Sequence, residues 1–282
     1  GRCVRGAGGG GGESGGCYER DRSGRRRATV RGGVGLGDRA AGAGDGAPGR
    51  GRGGATVDGA GKAVRGAGGR LGIGREIAFG FAAERSRLAL TCLEHAAEAE
   101  EVAARCRELG APAVTVHRLD LGDEASIRGC AADVLAGGDL DILIDNAGVV
   151  VWRPFLEQTL AEIDLQVRVN LVGTMKLTWL LLPHVRDAVI VVASTASLHG
   201  TATLSAYGAS KWGVRGWVKA LAKEHPDKRI VAEHPTVTAT RMNDFRGMPP
   251  QKVAGVVVTV ARGELELPSG ADVDVRDFDL KD

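Results

Sequence analysis

The sequence predicts an α/β protein with a doubly wound parallel sheet covered by helices on both faces. Short aliphatic runs alternate with longer stretches of helical periodicity along the chain. Several of these runs are apolar on both faces, as strands buried in a parallel sheet are. Because right-handed crossovers join such strands, a ligand cleft is expected at their carboxyl ends.

The predicted elements follow in order after a first short strand that ends at Arg65 and Gly66. Further strands are predicted over 86–94, 111–121, 140–148, 188–194, 228–235 and 270–275. Helices are predicted over 95–109, 124–138, 154–183, 206–225 and 251–262, and one more follows the glycines near residue 74. Strand and helix thus alternate throughout, as in a chain of βαβ units.

Residues 1–60 differ in composition from the rest of the chain. They hold 22 of the 44 glycines and eleven arginines, with almost no large aliphatic residues, and carry a net charge of about +5. Such a segment cannot bury enough apolar surface to offset the entropy lost on ordering it. We expect residues 1–60 to be disordered and residues 61–282 to form one globular domain.

Two other interpretations of residues 1–60 stay open. GC-rich DNA encodes Arg, Gly, Ala and Pro by default, so the segment could be a misassigned or frameshifted start. The Arg-Gly-Gly triplets at 31–33 and 52–54 resemble RNA-binding segments. Those segments usually interleave aromatic residues for base stacking, and this one has only Tyr18, so nucleic-acid binding is not expected.

The remaining composition argues against several classes of protein. The formal net charge of +2 is too small to indicate a nucleic-acid or membrane partner for the globular part. No apolar run reaches membrane-spanning length, no signal-peptide pattern opens the chain, and the histidines lack metal-ligand spacing. The cysteines at 3, 17, 92, 106 and 130 show no paired spacing, so we expect reduced thiols and a cytoplasmic protein.

The glycine-rich stretch GKAVRGAGGRLGIG at 61–74 is the first candidate for chemistry. Gly68, Gly72 and Gly74 lie where the first strand turns into the first helix. Lacking side chains, they let backbone N–H groups approach a pyrophosphate at the positive end of the helix. In a chain with so many glycines this spacing alone is weak.

A tyrosine and a lysine four residues apart give an independent signal. Tyr207 and Lys211, in SAYGASKWGVRG, share one face of a predicted helix. A phenol titrates near pH 10, too high for a proton shuttle near neutrality, and a neighbouring cation favours the phenolate. Lowering this pKa by about 2–3 units takes roughly 3–4 kcal/mol. Taken alone, the two residues could equally be a surface pair.

Other polar positions fall where the cleft is expected. Ser194 follows the apolar strand VIVVA, and the tripeptide NAG at 146–148 follows another strand. Asn170 lies in the middle of the helix predicted over 154–183. A buried amide there costs free energy unless it is hydrogen bonded, so Asn170 is expected to have specific hydrogen-bond partners.

Together these residues resemble the classical short-chain dehydrogenase/reductase family, and YGASKWGVRG is similar to its hydroxysteroid-dehydrogenase-type members. The resemblance covers about residues 61–276. It rests on GxxxGIG at 68–74, NAG at 146–148, Asn170, Ser194 and YxxxK at 207–211, in the family's order and spacing. It implies a Rossmann-type sheet, a nicotinamide cofactor, and hydride transfer between an alcohol and a ketone.

The resemblance also implies roles for the matching residues. Tyr207 would be the general acid/base, and Lys211 would lower its pKa and bind the nicotinamide ribose. Ser194 would hold the substrate oxygen, and Asn170 would anchor a water that relays protons to Lys211. Asp120 would contact the adenine, and Thr240 would lie near the nicotinamide amide. The full cofactor set would be Gly68, Arg70, Gly72, Ile73, Gly74, Cys92, Asp120, Asn146, Ala147, Gly148, Tyr207, Lys211 and Thr240.

The choice between NADP and NAD depends on the end of the second strand. Cys92 stands where NAD-preferring members place a carboxylate against the ribose hydroxyls. Without that anion a 2′-phosphate is not repelled, and Arg70 could help bind it, which favours NADP. A buried cysteine that merely ends a strand would leave NAD possible.

Two segments depart from the family pattern. Arg65 and Gly66 fall in a strand that should be central and wholly apolar, where an unpaired buried charge would be severely destabilising. Between Met242 and Pro249 the chain has only NDFRGM, where most relatives carry a longer, helical substrate lid. A short lid implies an open substrate pocket or a damaged one.

The sequence therefore favours an NAD(P)-dependent oxidoreductase that acts on a small alcohol or ketone. A catalytically silent dinucleotide-binding protein of the same fold is the alternative, motivated by the altered first strand and the short lid. The helix around Trp212, Val214, Trp217 and Leu221 is apolar on more than one face, as interface helices are. With the family resemblance, this predicts a homodimer or homotetramer.

Overall fold

A computed structural model of the chain describes residues 19–20, 26–27, 62–66 and 71–278. The chain divides into two compact units, Gly1–Arg50 and Gly51–Asp282. In the first unit, β1 (Glu19–Arg20) pairs antiparallel with β2 (Arg26–Arg27). Most of the segment expected to be disordered lies outside the described residues, so the division at residue 60 stays a prediction.

The described part of the second unit contains a sheet of seven strands that all pair in parallel. The strands are β3 (Ala63–Gly66), β4 (Arg87–Cys92), β5 (Val114–Arg118), β6 (Leu140–Asp145), β7 (Val185–Val192), β8 (Arg229–His234) and β9 (Asp272–Asp274). Their order across the sheet is β5-β4-β3-β6-β7-β8-β9. The order reverses between β3 and β6, which is where open α/β sheets bind ligands.

Seven α-helices of the described chain flank this sheet. They are α1 (Gly72–Ala83), α2 (Ala96–Glu108), α3 (Glu124–Leu135), α4 (Leu160–Val167), α5 (Thr174–Leu181), α6 (Ser205–Glu224) and α7 (Pro250–Arg262). Buried residues of α1, α2 and α7 pack on one face of the sheet, and those of α3, α5 and α6 pack on the other. The predicted fold class, a Rossmann-type doubly wound parallel sheet, is confirmed.

Local signals in the sequence explain where several helices begin and end. The Asp123 side chain accepts hydrogen bonds from the first N–H groups of α3, and Thr159 forms a capping box with Glu162 at the start of α4. Gly263 ends α7 in the left-handed conformation, at a φ of 76°. No helix in the described ranges is both long and apolar enough to cross a membrane.

The helix predicted over 154–183 is present but is not uniform. Between α4 and α5 the chain forms a π-helical segment, Arg168–Gly173. Its backbone hydrogen bonds span five residues instead of the four of an α-helix, so its turn is one residue longer. Gly173, where this segment ends, packs so closely on the Leu121 carbonyl that any side chain would overlap it. This close contact holds the helix against the end of β5.

The core of the sheet is mainly aliphatic, but it contains an ion pair between two central strands and other buried polar residues such as Glu233 on β8. Arg65 of β3 is 0% exposed, and its Nη1 lies 3.6 Å from Oδ1 of Asp145 on the neighbouring β6. Asp145 also accepts a hydrogen bond of 2.7 Å from the Thr178 hydroxyl. The buried charge of Arg65 therefore lies beside a carboxylate of the adjacent strand, although none of its guanidinium nitrogens makes a hydrogen bond.

Candidate active site

Ser194 and Tyr207 meet at the carboxyl end of β7. Ser194 caps the short 3₁₀ turn Thr195–Ser197, and its hydroxyl accepts a hydrogen bond of 3.1 Å from the Ala196 N–H. Tyr207 lies in the first turn of α6, close enough to Ser194 for that side chain to lower the pKa of the phenol. The two hydroxyls therefore form one polar site at the edge of the cleft.

Lys211 lies one turn further along α6, on the same face as Tyr207. Its Nζ is 5.9 Å from the centre of the Tyr207 ring and donates a 2.8 Å hydrogen bond to the Val192 carbonyl. The side chain is buried. The shared face predicted from the spacing is thus present, and Lys211 reaches past Tyr207 to the end of β7.

Burial controls the proton affinities of both groups. It raises the pKa of Tyr207, and the hydrogen bond with Ser194 opposes this rise. It lowers the pKa of Lys211 to about 8, while the Asp145 carboxylate acts in the other direction. The lowering of the Tyr207 pKa expected from Lys211 is not found, because removal of the phenol from water is the larger effect.

Asn170 connects the loop after β6 to α6. Its Oδ1 accepts from the Val149 N–H at 2.8 Å, and its Nδ2 donates to the Val149 carbonyl at 2.8 Å and to the Ser210 hydroxyl at 3.1 Å. A Cβ on Gly148 would lie 3.0 Å from Asn170 Oδ1 and 3.5 Å from Lys211 Nζ. The amide and the ammonium therefore flank one glycine, and the buried amide has its partners.

The glycine turn lies at the same edge of the sheet. Gly72 has a φ of 55°, and a Cβ there would lie 2.8 Å from Cγ2 of Thr240. Gly74 is buried in the first turn of α1, and Ile73 packs against the core. Glycine is therefore required at 72 for both its backbone conformation and its space. The predicted cofactor residues Gly68 and Arg70 lie outside the described residues.

The other predicted cofactor residues follow the ends of β4, β5 and β6. Cys92 is the buried last residue of β4. Asp120 lies just beyond β5, and its Oδ1 accepts a 2.8 Å hydrogen bond from the Gly122 N–H. Asn146 and Ala147, both half-buried, follow β6 directly. Since parallel strands end at one edge, these residues lie along the edge that carries Gly72.

The family model for short chain dehydrogenases matches residues 62–249. This chain belongs to the short chain dehydrogenase family. Its curated relatives include hydroxysteroid-type dehydrogenases, in agreement with the resemblance noted from the sequence.

Two curated relatives illustrate the extent of the match. The 2-dehydro-3-deoxy-L-rhamnonate dehydrogenase (NAD(+)) of Sphingomonas sp. (strain SKA58) is 31% identical over 171 residues, 58% of this chain and 66% of that protein. The 11-beta-hydroxysteroid dehydrogenase-like 4A of Arabidopsis thaliana is 31% identical over 177 residues, 60% of this chain and 58% of its own length. The chain spans about half to two thirds of the length of the curated relatives it matches.

Solved structures agree with this assignment. The crystal structure of a short chain dehydrogenase from Burkholderia cenocepacia J2315 in complex with NADP matches with a TM-score of 0.71 and 26% identity. The match covers 78% of this chain and 97% of that one.

The short segment between β8 and α7 is held together by backbone hydrogen bonds. The Ala239 N–H donates to the Met248 carbonyl, and the Met248 N–H donates to the Val237 carbonyl, both at 2.8 Å. Gly247, at a φ of 111°, lies so close to the Val237 carbonyl that a side chain would overlap it. Phe245 is 68% exposed at the tip of the segment. The short lid is thus an ordered loop closed by backbone hydrogen bonds.

A cavity adjoins the Ser194–Tyr207 site. Its volume is about 410 Å³, and Ala196, Leu204, Gly208 and Trp212 are among the residues that line it. The described parts of the chain contain no cluster of three or more His, Cys, Asp or Glu residues placed to hold a metal ion.

Sequence reasoning missed several residues that support the site. The sequence indicated Arg65 as an unusual charge in a central strand, but it did not identify Asp145 as the partner. Ser210, which accepts from Asn170, and the buried His234 on β8 have no such signal. Their roles depend on which elements meet in space.

Proposed function

We propose that this chain is an NAD(P)-dependent oxidoreductase that transfers a hydride between a nicotinamide cofactor and a secondary alcohol or ketone. The observation that carries the proposal is the convergence of Ser194, Tyr207 and Lys211 at the carboxyl edge of the sheet. This edge also carries Gly72 and Thr240, the residues that would flank a dinucleotide.

In ketone reduction, Tyr207 gives its hydroxyl proton to the carbonyl oxygen, and in alcohol oxidation it accepts that proton. The raised pKa keeps the phenol protonated at neutral pH, which suits reduction. The Ser194 hydroxyl holds the substrate oxygen beside Tyr207. Asn170 orders the backbone at Val149 next to Lys211, from which a water could relay protons to the ammonium. The cofactor, when bound, supplies or accepts the hydride.

The N-terminus of α1 fits the diphosphate of a dinucleotide. Gly72 and Gly74 carry no side chains that would screen the backbone N–H groups of its first turn, at the positive end of the helix. Cys92 ends β4 without the carboxylate that would repel a 2′-phosphate, so we propose NADP over NAD. The NADP bound to the Burkholderia relative supports this choice, whereas the Sphingomonas relative is named for NAD(+). Titration of the protein with NADPH and with NADH tests it.

Gly72→Val should weaken NADPH binding about 10-fold or more. A β-branched residue at positive φ is strained by on the order of 1–3 kcal/mol, and about 1.4 kcal/mol is a factor of ten in affinity. Its side chain would also displace Thr240. The dissociation constant is measured by isothermal titration.

Gly129→Ala is the matched control, because nothing lies within 4 Å of a Cβ at this position on α3. We expect this control to bind NADPH as the parent does and to gain up to about 1 kcal/mol of stability. Equal NADPH affinity of Gly72→Val and the parent would show that the turn does not hold the cofactor. A parent protein that binds NADPH but reduces no member of a broad carbonyl panel would support the catalytically silent alternative.

We also propose a homodimer that forms through α5 and α6. Trp179 of α5 is 71% exposed and lines a groove of about 1030 Å³. Trp217 and Leu221 of α6 line the same groove. A two-fold axis beside this groove would bury the same apolar patch on both subunits. Lys176 and Glu124 form an ion pair at its margin, as the polar rim of an interface does.

Trp179→Glu should raise the dimer dissociation constant by at least about 30-fold, because loss of a buried tryptophan anchor typically costs about 2 kcal/mol or more. Sedimentation equilibrium measures the change. The control is Leu93→Glu, which places the same charge on a half-exposed residue after β4. A Trp179→Glu protein that associates as tightly as this control would exclude the α5–α6 interface.

A further inference from the structure

A buried histidine lies directly behind the Ser194 turn. His234, the last residue of β8, is 0% exposed. Its Nδ1 lies 2.8 Å from the Ser197 Oγ and 3.1 Å from the Ser194 carbonyl oxygen. Its Nε2 lies 3.1 Å from Oδ1 of Asp272 on β9. The ring thus joins the edge of the sheet to the turn that begins at Ser194.

The Ser194 carbonyl is the point where these contacts meet. The Ser197 N–H donates to it at 2.9 Å, and the Ser197 hydroxyl donates to it at 2.5 Å. His234 Nδ1 lies 3.1 Å from the same oxygen and 2.8 Å from the Ser197 hydroxyl, whose one proton is shared between these two acceptors. The peptide that follows Ser194 is therefore fixed more firmly than a surface turn requires.

Charged groups on α6 and β9 hold the far side of the histidine ring. Arg215 donates to Asp272 through Nε at 2.9 Å and Nη2 at 2.8 Å, and Lys219 Nζ lies 2.9 Å from the same carboxylate. When this carboxylate accepts the Nε2 proton of the neutral ring, Nδ1 is an acceptor and its donor is the Ser197 hydroxyl. Asp274 also faces the histidine from β9.

The side chain of His234 is not needed to join the strands. The backbone already connects the ends of β7 and β8 through the Ala193 N–H, which donates to the Glu233 carbonyl at 2.7 Å. It does so again through the Thr195 N–H, which donates to the Pro235 carbonyl at 2.9 Å. Towards the end of β7, what the ring adds is contact with Ser194 and Ser197. Its effect is therefore local to the serine that touches Tyr207.

We propose that His234, oriented by Asp272, is a positioning residue that fixes the Ser194 turn and so holds the Ser194 hydroxyl against Tyr207. The inference rests on the proposed oxidoreductase function for its effect on turnover. The structural part of the inference, that His234 holds Ser194 beside Tyr207, does not depend on that function.

Two substitutions of His234 test the contacts of Nδ1 and those of Nε2 separately. His234→Asn keeps a hydrogen-bonding group near the Nδ1 position but is too short to reach Asp272. His234→Gln places its amide near the Nε2 position and leaves the Ser194 side without a partner. We expect kcat for reduction of 9,10-phenanthrenequinone with NADPH to fall about 10–100-fold in the Gln protein, because small misplacements of a reacting group have effects of this size. The Asn protein should lose much less, and KM for NADPH should stay unchanged in both.

A second measurement does not depend on turnover. The chain has two tyrosines, so Tyr18→Phe leaves Tyr207 as the single phenol, whose ionisation is followed by ultraviolet absorbance. The hydrogen bond from Ser194 lowers the pKa of Tyr207. His234→Gln should therefore raise the titration midpoint, as Ser194→Ala does, and His234→Asn should leave it near the parent value. Alkaline unfolding would move the midpoint the other way, towards about 10.

The decisive test combines the substitutions. If His234 acts through Ser194, His234→Gln should change neither kcat nor the Tyr207 midpoint further in a Ser194→Ala protein. An equal effect in both backgrounds, or equal effects of the Asn and Gln substitutions, would overturn the inference. A parent protein without turnover would overturn the proposed function, while the Tyr207 titration would still decide the role of His234.

Discussion

Tyr207→Phe should lower kcat by about 10³-fold and leave the affinity for NADPH unchanged. The substitution removes the hydroxyl that exchanges a proton with the substrate, and general acid/base groups typically contribute 10²–10⁴-fold. The phenyl ring keeps its packing on α6, and Lys211 keeps its hydrogen bond to the Val192 carbonyl. The loss should therefore fall on kcat.

Steady-state reduction of a ketone with NADPH and calorimetric titration of NADPH measure the two quantities. Tyr18→Phe, which removes the other tyrosine of the chain, is the matched control and should turn over as the parent does. Turnover of Tyr207→Phe at the parental rate would show that another group moves the proton. A parallel loss of NADPH binding would instead indicate a damaged cofactor site.

The largest effect on stability is expected at the buried ion pair. Arg65→Leu alone should lower the free energy of unfolding by about 3–5 kcal/mol, because Asp145 is left buried without its countercharge. Asp145→Leu alone should cost a similar amount for the same reason. Arg65→Leu combined with Asp145→Leu should be neutral or more stable than the parent by about 1–4 kcal/mol, since two charges no longer have to leave water.

Urea denaturation of the four proteins measures this cycle. The Thr178 hydroxyl, which donates to Asp145 in the parent, has the Thr174 carbonyl 2.9 Å away as an alternative acceptor and so keeps a partner in the double variant. The control is Arg128→Ala, which breaks an exposed ion pair with Glu124 and should leave the free energy of unfolding nearly unchanged. Additive losses in the double variant would show that the two charges do not compensate each other.

The sequence predicts the fold well where one strong pattern decides it. The run of residues 189–192 is apolar on both faces and so belongs inside a parallel sheet, where the structure places it. The spacing of Tyr207 and Lys211 is equally local, because positions four apart share a helix face whatever surrounds them. Their convergence with Ser194 follows from the strand and helix order.

What the sequence could not supply depends on distance and burial. The pairing of Arg65 with Asp145 requires the neighbouring positions of β3 and β6, which are far apart in the chain. The direction of the Tyr207 pKa depends on how completely the phenol leaves water, a property of the packed site. The π-helical segment has the same residue types as the α-helices around it, so its periodicity does not reveal it.

The π-helical segment between α4 and α5 sets the rotation of α5 about its own axis relative to α4. An α-helix advances about 100° per residue, so deleting one residue from Arg168–Gly173 would turn the whole of α5 by about that angle. Trp179 would then leave the face it now presents, and Asn170 would lose its alignment with Val149. The π-helical segment therefore fixes both the direction of Trp179 and the alignment of Asn170 with Val149.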